Sequence, residues 1–226
     1  MSVLLVAGAG RGVGAALERR FAREGYAVAR AARSAARGPA TFPADLSREH
    51  DVVRLFDAVE SGLGPIDVVA FVAATRKETP FVEVSAEEFE AHLRQNTLAG
   101  FLVGREAARR MLPRGHGTVI YTGASGSFRG RARFAAFSAA KGGLRFLAQS
   151  MARELGPQGI HVATVLIDGA IDSERMWTHD RPRMEKLGPD GALQPDAIAE
   201  AYWQLHNQPR SAWTQELDLR PWSQTF

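Results

Sequence analysis

The stretch VLLVAGAGRGVGAAL, residues 3–17, constrains the fold more than any other part of the chain. It is an apolar run followed at once by Gly8, Gly12 and Gly14 and then by a segment rich in Ala and Leu. This order predicts a buried strand, a tight turn and the N-terminus of a helix. Glycines in such a turn let backbone N–H groups approach a pyrophosphate, whose charge also suits the helix dipole. The alternative is a tight strand–helix turn that binds no ligand.

Short apolar runs and longer amphipathic stretches alternate along the whole chain. The apolar runs are VLLVAG, AVARAA, DVVAFVAA, TVIYTG, HVATVL and ELDL. Such alternation predicts parallel strands joined by crossover helices. The length of 226 residues suits one domain, 1–226, better than two. The predicted fold is therefore a single-domain α/β protein with a doubly wound parallel sheet.

Capping residues and helix breakers mark several helix ends. Ser47 is predicted to cap a helix over Asp51–Leu63. Ser85 and Glu88 have the spacing of a capping box, which predicts the start of another helix. A later helix is expected to end at Gly156, which is followed by proline.

Composition limits the class of partner. The formal charge is only +3, and the basic residues are spread from Arg11 to Arg220 without a run, which argues against a nucleic-acid partner. The chain has no cysteine, so thiolate chemistry and cysteine-based metal sites are excluded. Glycine interrupts the first apolar run too early for a signal or membrane segment. We expect a soluble, cytoplasmic protein without metal that binds only a small-molecule substrate or nucleotide.

The G-x-x-x-G-x-G spacing of the first turn resembles the short-chain dehydrogenase/reductase family, and the resemblance covers essentially the whole chain. It implies a Rossmann-like NAD(P)-binding domain and oxidoreductase activity. It assigns Gly8, Gly12, Val13 and Gly14 to cofactor binding. Family members normally have a threonine before the first glycine, whereas this chain has Ala7.

The second apolar run ends at Arg33, where an NAD-binding protein usually carries an acidic residue for the ribose 2′-hydroxyl. Arg33 and Arg11 resemble the basic residues with which NADP-preferring family members clamp the 2′-phosphate. NADP is therefore the expected cofactor and NAD the less favoured one, with two solvated arginines as the alternative. The segment PADLS resembles the family's adenine contact and assigns it to Asp45 and Leu46. A helix cap formed by Asp45 or Ser47 is the alternative.

Three further segments can be compared with the family. The segment FVAAT stands where the family has Asn-Asn-Ala-Gly, so Phe71 and Val72 replace the asparagines and Ala73 matches. Asn96 matches the asparagine that bends a long helix and holds a water in a proton relay. Ile171 stands where a threonine touches the nicotinamide carboxamide. This region of the site is therefore more apolar than is usual in the family.

The segment GASGSFRGRARFAAFSAAK aligns with the family's catalytic segment without a gap. The alignment puts Ala124 at the serine position and Phe137 at the tyrosine position, and Lys141 keeps its own. In the family the serine holds the substrate oxygen, and the tyrosine, with its pKa lowered by the lysine, transfers the proton. Alanine and phenylalanine do neither. Lys141, which also binds the nicotinamide ribose in the family, and Asn96 are the residual catalytic positions.

Two functions follow from this pattern. The first is an NAD(P)-dependent oxidoreductase with altered or weakened chemistry, in which ordinary carbonyl reduction is weak or absent and the substrate is activated or conjugated. Ser125 and Ser138 are then the nearest alternative proton donors. The second is an inactive NADP(H)-binding sensor or oligomer partner. The helices around Asn96 and Lys141 resemble those that pair between family subunits, so we expect a homodimer or homotetramer.

Overall fold

The computed structural model describes residues 1–33 and 40–224. The strands are β1 Val3–Ala7, β2 Ala27–Ala32, β3 Thr41–Pro43, β4 Ile66–Phe71, β5 Gly117–Ala124, β6 Ile160–Ile167 and β7 Glu216–Leu219. They form one parallel seven-stranded sheet in the order β3-β2-β1-β4-β5-β6-β7. This arrangement confirms the predicted doubly wound parallel sheet.

Helices cover both faces of the sheet. They are α1 Val13–Ala22, α2 Glu49–Leu63, α3 Ala86–His92, α4 Ala99–Met111, α5 Ala135–Leu155, α6 Glu174–His179, α7 Arg181–Leu187 and α8 Pro195–His206. A π-helical segment, Leu93–Leu98, joins α3 to α4 without a break. Short 3-10 turns lie at Phe81–Glu83, Leu112–Arg114, Ser125–Ser127, Gly156–Gln158 and Arg210–Ala212.

The side chains of β1 alternate between two hydrophobic cores, as the geometry of a strand requires. Val3, Leu5 and Ala7 pack in the core that includes buried residues of α2, α4 and α5. Leu4 and Val6 pack in the core that includes buried residues of α1 and α8. Because both faces are covered, the strand is apolar throughout.

The strand order reverses between β1 and β4, since β2 and β3 lie on one side of β1 and the later strands lie on the other. In an open α/β sheet, ligands bind in the crevice outside the carboxyl ends of the strands at this reversal. The glycine turn follows β1 directly, and the segment that begins with Val72 follows β4. The fold therefore brings these two segments to the same crevice.

The sequence predicted most of the marked helix ends and every strand except β3. The strand β3 has only 3 residues, none of them fully buried, so it gives no apolar run. Ser85 accepts a hydrogen bond from the backbone N–H of Glu88, as the capping box predicts. The carboxylate of Glu88, however, accepts hydrogen bonds from Lys77 and Thr79.

The predicted cap at Ser47 is wrong. Helix α2 begins at Glu49, with Arg48 at the N-cap position and no side-chain cap. The backbone N–H and the hydroxyl of Ser47 both donate to the carboxylate of Asp45, at 3.0 and 2.8 Å. This local turn uses the hydroxyl that the prediction assigned to the helix.

Two features are absent from the described residues. No helix among residues 1–33 and 40–224 is long and apolar enough to cross a membrane. Over the same ranges, no group of three or more His, Cys, Asp or Glu side chains is arranged to hold a metal ion.

Candidate active site

The turn after β1 brings backbone close to backbone. Gly8 has a φ of +98°, and a Cβ atom there would overlap the backbone of Ala73, which follows β4. The positive φ and the lack of space for a Cβ atom both exclude other residues at this position. Gly10 has open space where a side chain would project. The turn is thus shaped as a cradle with room on one side.

Helix α1 begins beside this cradle. Its N-cap is Gly12, and no side chain from the described residues caps its first turn, which also lacks acidic residues. The N–H groups of the first turn, including those of Val13 and Gly14, point out of the N-terminal end of the helix, which is also the positive end of the helix dipole. An uncapped helix N-terminus that borders open space fits a pyrophosphate.

The segment after β6 packs over the glycine turn. A Cβ atom on Gly12 would lie 3.6 Å from Ser173. Arg11 forms an exposed ion pair with Glu174, at 3.1 Å. Arg11 therefore lies at the mouth of the crevice, and its charge has a carboxylate partner in this structure.

Arg33 directly follows β2 and is exposed. Burial raises the pKa of Asp45, but the hydrogen bonds from Ser47 and the charges of Arg48 and Arg33 lower it below its ordinary value. Arg33 is thus near the residue that the sequence assigns to the adenine contact. Leu46 is buried in the core beside it.

Lys141 is buried in α5, and its Nζ atom donates a hydrogen bond to the carbonyl oxygen of Thr122 at 2.9 Å. Burial lowers the pKa of this lysine to about 8. An ammonium group has three donors. The described part of the chain offers Nζ no second hydrogen-bond acceptor. The remaining donors fit the hydroxyls of a nicotinamide ribose.

Phe137 lies one helical turn before Lys141 and is also buried. A Cβ atom on Gly126 would lie 3.1 Å from the Phe137 ring, so the ring packs against the turn that follows β5. Ala124 ends β5, and its backbone N–H donates to the hydroxyl of Ser127 at 3.0 Å. Neither position supplies a hydroxyl group.

Asn96 lies in the π-helical segment and is fully buried. Its Nδ2 atom donates to the carbonyl oxygens of Thr75 and His92, at 3.2 and 3.0 Å. Its Oδ1 atom is buried and has no hydrogen-bond partner among the described residues. A buried, unpaired carbonyl oxygen is suited to a bound water.

Two serines are the remaining hydroxyl candidates. Ser138, which follows Phe137, has a buried hydroxyl oxygen that no described residue contacts by a hydrogen bond. Ser125 is half-buried in the short turn after β5. Either hydroxyl is close in sequence to a position that the family uses for catalysis.

The substrate side of the crevice holds an ion pair that sequence reasoning missed. Asp168 directly follows β6 and is buried. The guanidinium of Arg129 contacts both of its carboxylate oxygens at 2.8 Å, and that of Arg220 contacts one at 3.2 Å. These partners come from distant parts of the sequence, which no local pattern indicates.

The segment after Asp168 folds as two short helices, α6 and α7. Ile171 is half-buried and pairs with Leu193 in an isolated parallel bridge. The indole N–H of Trp177 donates to Asp172 at 2.6 Å. These contacts fasten the helical segment against the crevice.

Comparison with known proteins gives the family. The sequence profile of the short chain dehydrogenases matches residues 2–183. The 3-oxoacyl-(acyl-carrier-protein) reductase MabA of Mycobacterium avium is 33% identical over 173 residues, which cover 76% of this chain and 68% of that protein. The 3-oxoacyl-(acyl-carrier-protein) reductase of Bos taurus is 29% identical over 199 residues, 84% of each chain. A solved short-chain dehydrogenase from Rhodopseudomonas palustris is similar over 98% of this chain and 99% of that one, with a TM-score of 0.80 and 35% identity.

The chain therefore belongs to the short-chain dehydrogenase/reductase family, a family of oxidoreductases with a Rossmann-type NAD(P)-binding fold.

Proposed function

We propose that this protein binds NADP(H) and is an oxidoreductase of altered chemistry, acting on an activated or conjugated substrate. The observation that carries the proposal is that Lys141 and Phe137 lie one turn apart on the same face of α5. The lysine is buried with hydrogen-bond donors to spare, whereas the position one turn earlier holds an apolar ring. Cofactor binding and proton transfer are thereby separated.

Different residues of the crevice would bind different parts of the cofactor. The uncapped N-terminus of α1 would hold the pyrophosphate, and Lys141 would hold the nicotinamide ribose. Arg33, with Asp45 nearby, would bind the adenosine end and its 2′-phosphate. Ala73 and Ile171 would line the nicotinamide end. Bound NADPH supplies a hydride.

The protein's own contribution to proton transfer is reduced. Phe137 and Ala124 provide neither a general acid nor a donor for a developing oxyanion, which together usually accelerate carbonyl reduction by several orders of magnitude. The relatives named as 3-oxoacyl-(acyl-carrier-protein) reductases act on a 3-oxo group. A polarised C=C bond requires less help from the missing groups, which supports a conjugated substrate.

A second candidate is NADP(H) binding without turnover, as a sensor or as the inactive partner in an oligomer. The packing of Phe137 against Gly126 favours it, because this contact gives the site an apolar wall at the position of the proton donor. The two candidates share the cofactor site and differ only in hydride transfer.

Self-association is the third part of the proposal. Phe101 on α4 and Phe146 on α5 are 38% and 67% exposed, and Leu98 beside α4 is 38% exposed. Large apolar side chains on two neighbouring helices are typical of a subunit interface. We therefore propose a homodimer or homotetramer that pairs through α4 and α5.

Binding and turnover, measured separately, test the proposal. NADPH is titrated into the protein by calorimetry, and its oxidation is then followed by absorbance with a simple ketone, a 3-oxoacyl thioester and a conjugated enone. We expect binding, negligible ketone reduction and oxidation with the enone. Binding without any oxidation would favour the second candidate. Failure of NADPH to bind would contradict both.

A further inference from the structure

Two arginines lie over the ring of Phe134, and two more lie near one of them. The guanidinium carbons of Arg76 and Arg131 lie 4.3 and 5.8 Å from the centre of this ring. Arg183 and Arg175 are near enough to repel Arg76 electrostatically. We call these four residues the arginine cluster. The Phe134 ring in turn contacts Phe137, with 6.5 Å between ring centres.

The cluster is assembled from separate parts of the chain. Arg76 lies in the segment after β4, and Arg131 lies between β5 and α5. Arg175 belongs to α6 and Arg183 to α7. The helices α6 and α7 therefore bring Arg175 and Arg183 toward the arginines that follow β4 and β5 at the carboxyl edge of the sheet.

No member of the cluster has an ion-pair partner in the described part of the chain. Glu78 attracts Arg76, but the Glu78 carboxylate is already bound by Arg133 at 2.7 Å. Glu174, on the same helix as Arg175, is bound by Arg11. The nearby carboxylates are thus occupied elsewhere.

The four residues are exposed to solvent, and the charges of the other three repel that of Arg76. Burial, and then the charges of Arg183 and Arg131, lower the pKa of Arg76 below its ordinary value. Most other arginines of the protein are paired, for example Arg110 with Glu106 and Asp57. Positive charges without an ion-pair partner among the described residues, beside the proposed substrate position, suit an anionic ligand, since guanidinium groups bind carboxylates and phosphates in a bidentate manner.

We propose that the arginine cluster binds a carboxylate or phosphate group of the substrate. The inference rests on the proposed function in one respect, because it takes the crevice beside Phe137 as the substrate site. The Phe134 ring contacts both Arg76 and Phe137. An anionic group bound by Arg76 would therefore be separated from the position where the substrate reacts by this one ring. An oxyanion there would also hold α6 and α7 over the crevice.

Inorganic phosphate and malonate are the probes. Each is titrated calorimetrically into the full chain, with and without saturating NADPH, which occupies the cofactor's own phosphate sites. The variants are Arg76→Gln and Arg131→Gln. The control is Arg153→Gln, because Arg153 is an exposed arginine of α5 whose guanidinium donates to the Gln149 carbonyl oxygen. Comparison of the two probes shows whether the site prefers phosphate or carboxylate.

We expect each cluster variant to raise the dissociation constant of the preferred probe about tenfold or more, as loss of a charge-assisted hydrogen bond does. The control variant should bind like the wild type. Without ligand, Arg76→Gln should melt no lower than wild type, because it removes repulsion between like charges. This stability readout separates loss of binding from loss of folding.

An unchanged dissociation constant in both cluster variants would overturn the inference, as would the absence of binding of either anion to the wild type. Binding of NADPH without anion binding would reject the cluster and leave the proposed function in place. Anion binding that depends on Arg76, in a protein that does not bind NADPH, would support the arginine cluster and contradict the proposed function.

Discussion

Lys141 donates a hydrogen bond from Nζ to the carbonyl oxygen of Thr122, across 2.9 Å. The bond connects α5 to the carboxyl end of β5, beside the crevice. Because Phe137 offers no hydroxyl, the positive charge has no phenol to act on. We propose that its role is to bind the cofactor, which would tie the affinity for NADPH to the protonation of a single buried amine.

The affinity for NADPH should decrease as the pH rises through about 8, the pKa of Lys141 in the folded protein. Below this pKa the ammonium provides charge and three donors, and above it the neutral amine provides less of both. Calorimetric titrations from about pH 7 to about pH 9 measure the effect. Lys141→Met should weaken binding about tenfold or more and remove this pH dependence. A wild-type pH dependence that persists in the variant would contradict the assignment.

The same lowered pKa has a consequence for stability. Between about 8 and the ordinary 10.5, the unfolded chain binds a proton at Lys141 that the folded protein does not. The free energy of unfolding of the unliganded protein should therefore rise with pH across this window. Lys141→Met should lack this contribution, so urea denaturation of the two proteins at both ends of the window provides the comparison.

Arg33→Ala should weaken the binding of NADPH about tenfold and leave that of NADH nearly unchanged, because only NADPH carries the 2′-phosphate. Arg30→Ala, on the strand that precedes Arg33, is the matched control, since Arg30 already pairs with Glu18 at 2.9 Å. Calorimetry with both cofactors measures the ratio. Equal losses for NADPH and NADH in Arg33→Ala would contradict a clamp on the phosphate.

Some of these features could be predicted from sequence because they depend on neighbours along the chain. The strand and glycine turn around Gly8, and the spacing of Phe137 and Lys141 on one helix, follow from local periodicity. The short edge strand Thr41–Pro43 was missed because it has no buried apolar run. Ser47 was misassigned because a hydroxyl can serve either a helix or a local turn, and here it bonds to Asp45.

The electrostatics of the site could not be predicted in this way. Asp168 meets Arg129 across 39 residues of sequence, and Arg220 joins them from a third segment. Arg76 likewise meets Arg183 only because α7 folds back over the crevice. Such pairings depend on tertiary structure, and no local pattern indicates which of the many arginines will be paired.

Gly104→Ala should destabilise the protein by about 1–3 kcal/mol, since a methyl group there would overlap the Tyr121 hydroxyl, which is buried beneath α4. Gly62→Ala is the control, because Gly62 lies in α2 with nothing nearby, and alanine should stabilise that helix by about 0.5–1 kcal/mol. Urea denaturation measures both. The double variant Gly104→Ala with Tyr121→Phe should recover part of the loss, and a fully stable Gly104→Ala protein would contradict this packing.

Phe146→Glu should dissociate the proposed oligomer, because it places a charge on the apolar face that α4 and α5 present. Ser61→Glu, at an exposed position of α2, is the control for added charge. Light scattering at micromolar concentration gives the mass of each protein. A monomeric wild type would contradict the proposal, and an oligomer that survives Phe146→Glu would locate the interface elsewhere.

The double variant Phe137→Tyr with Ala124→Ser should gain measurable NADPH-dependent reduction of a simple ketone. The substitutions restore a phenol one turn before Lys141 and a hydroxyl at the end of β5, the groups that donate to the substrate oxygen in the family. The gain should stay below the ~10²–10⁴ that a general acid typically supplies, because Phe71 and Val72 leave the proton relay of Asn96 unsupported.

The control for this experiment is Phe137→Leu with Ala124→Ser, which opens similar space without the phenol. NADPH affinity should be similar in all three proteins, so that a difference in rate reports proton transfer rather than binding. Substantial ketone reduction by the wild type would contradict the ungapped alignment. The unpaired hydroxyl of Ser138 and the nearby Ser125 would then be the donors to test, by substitution of each with alanine.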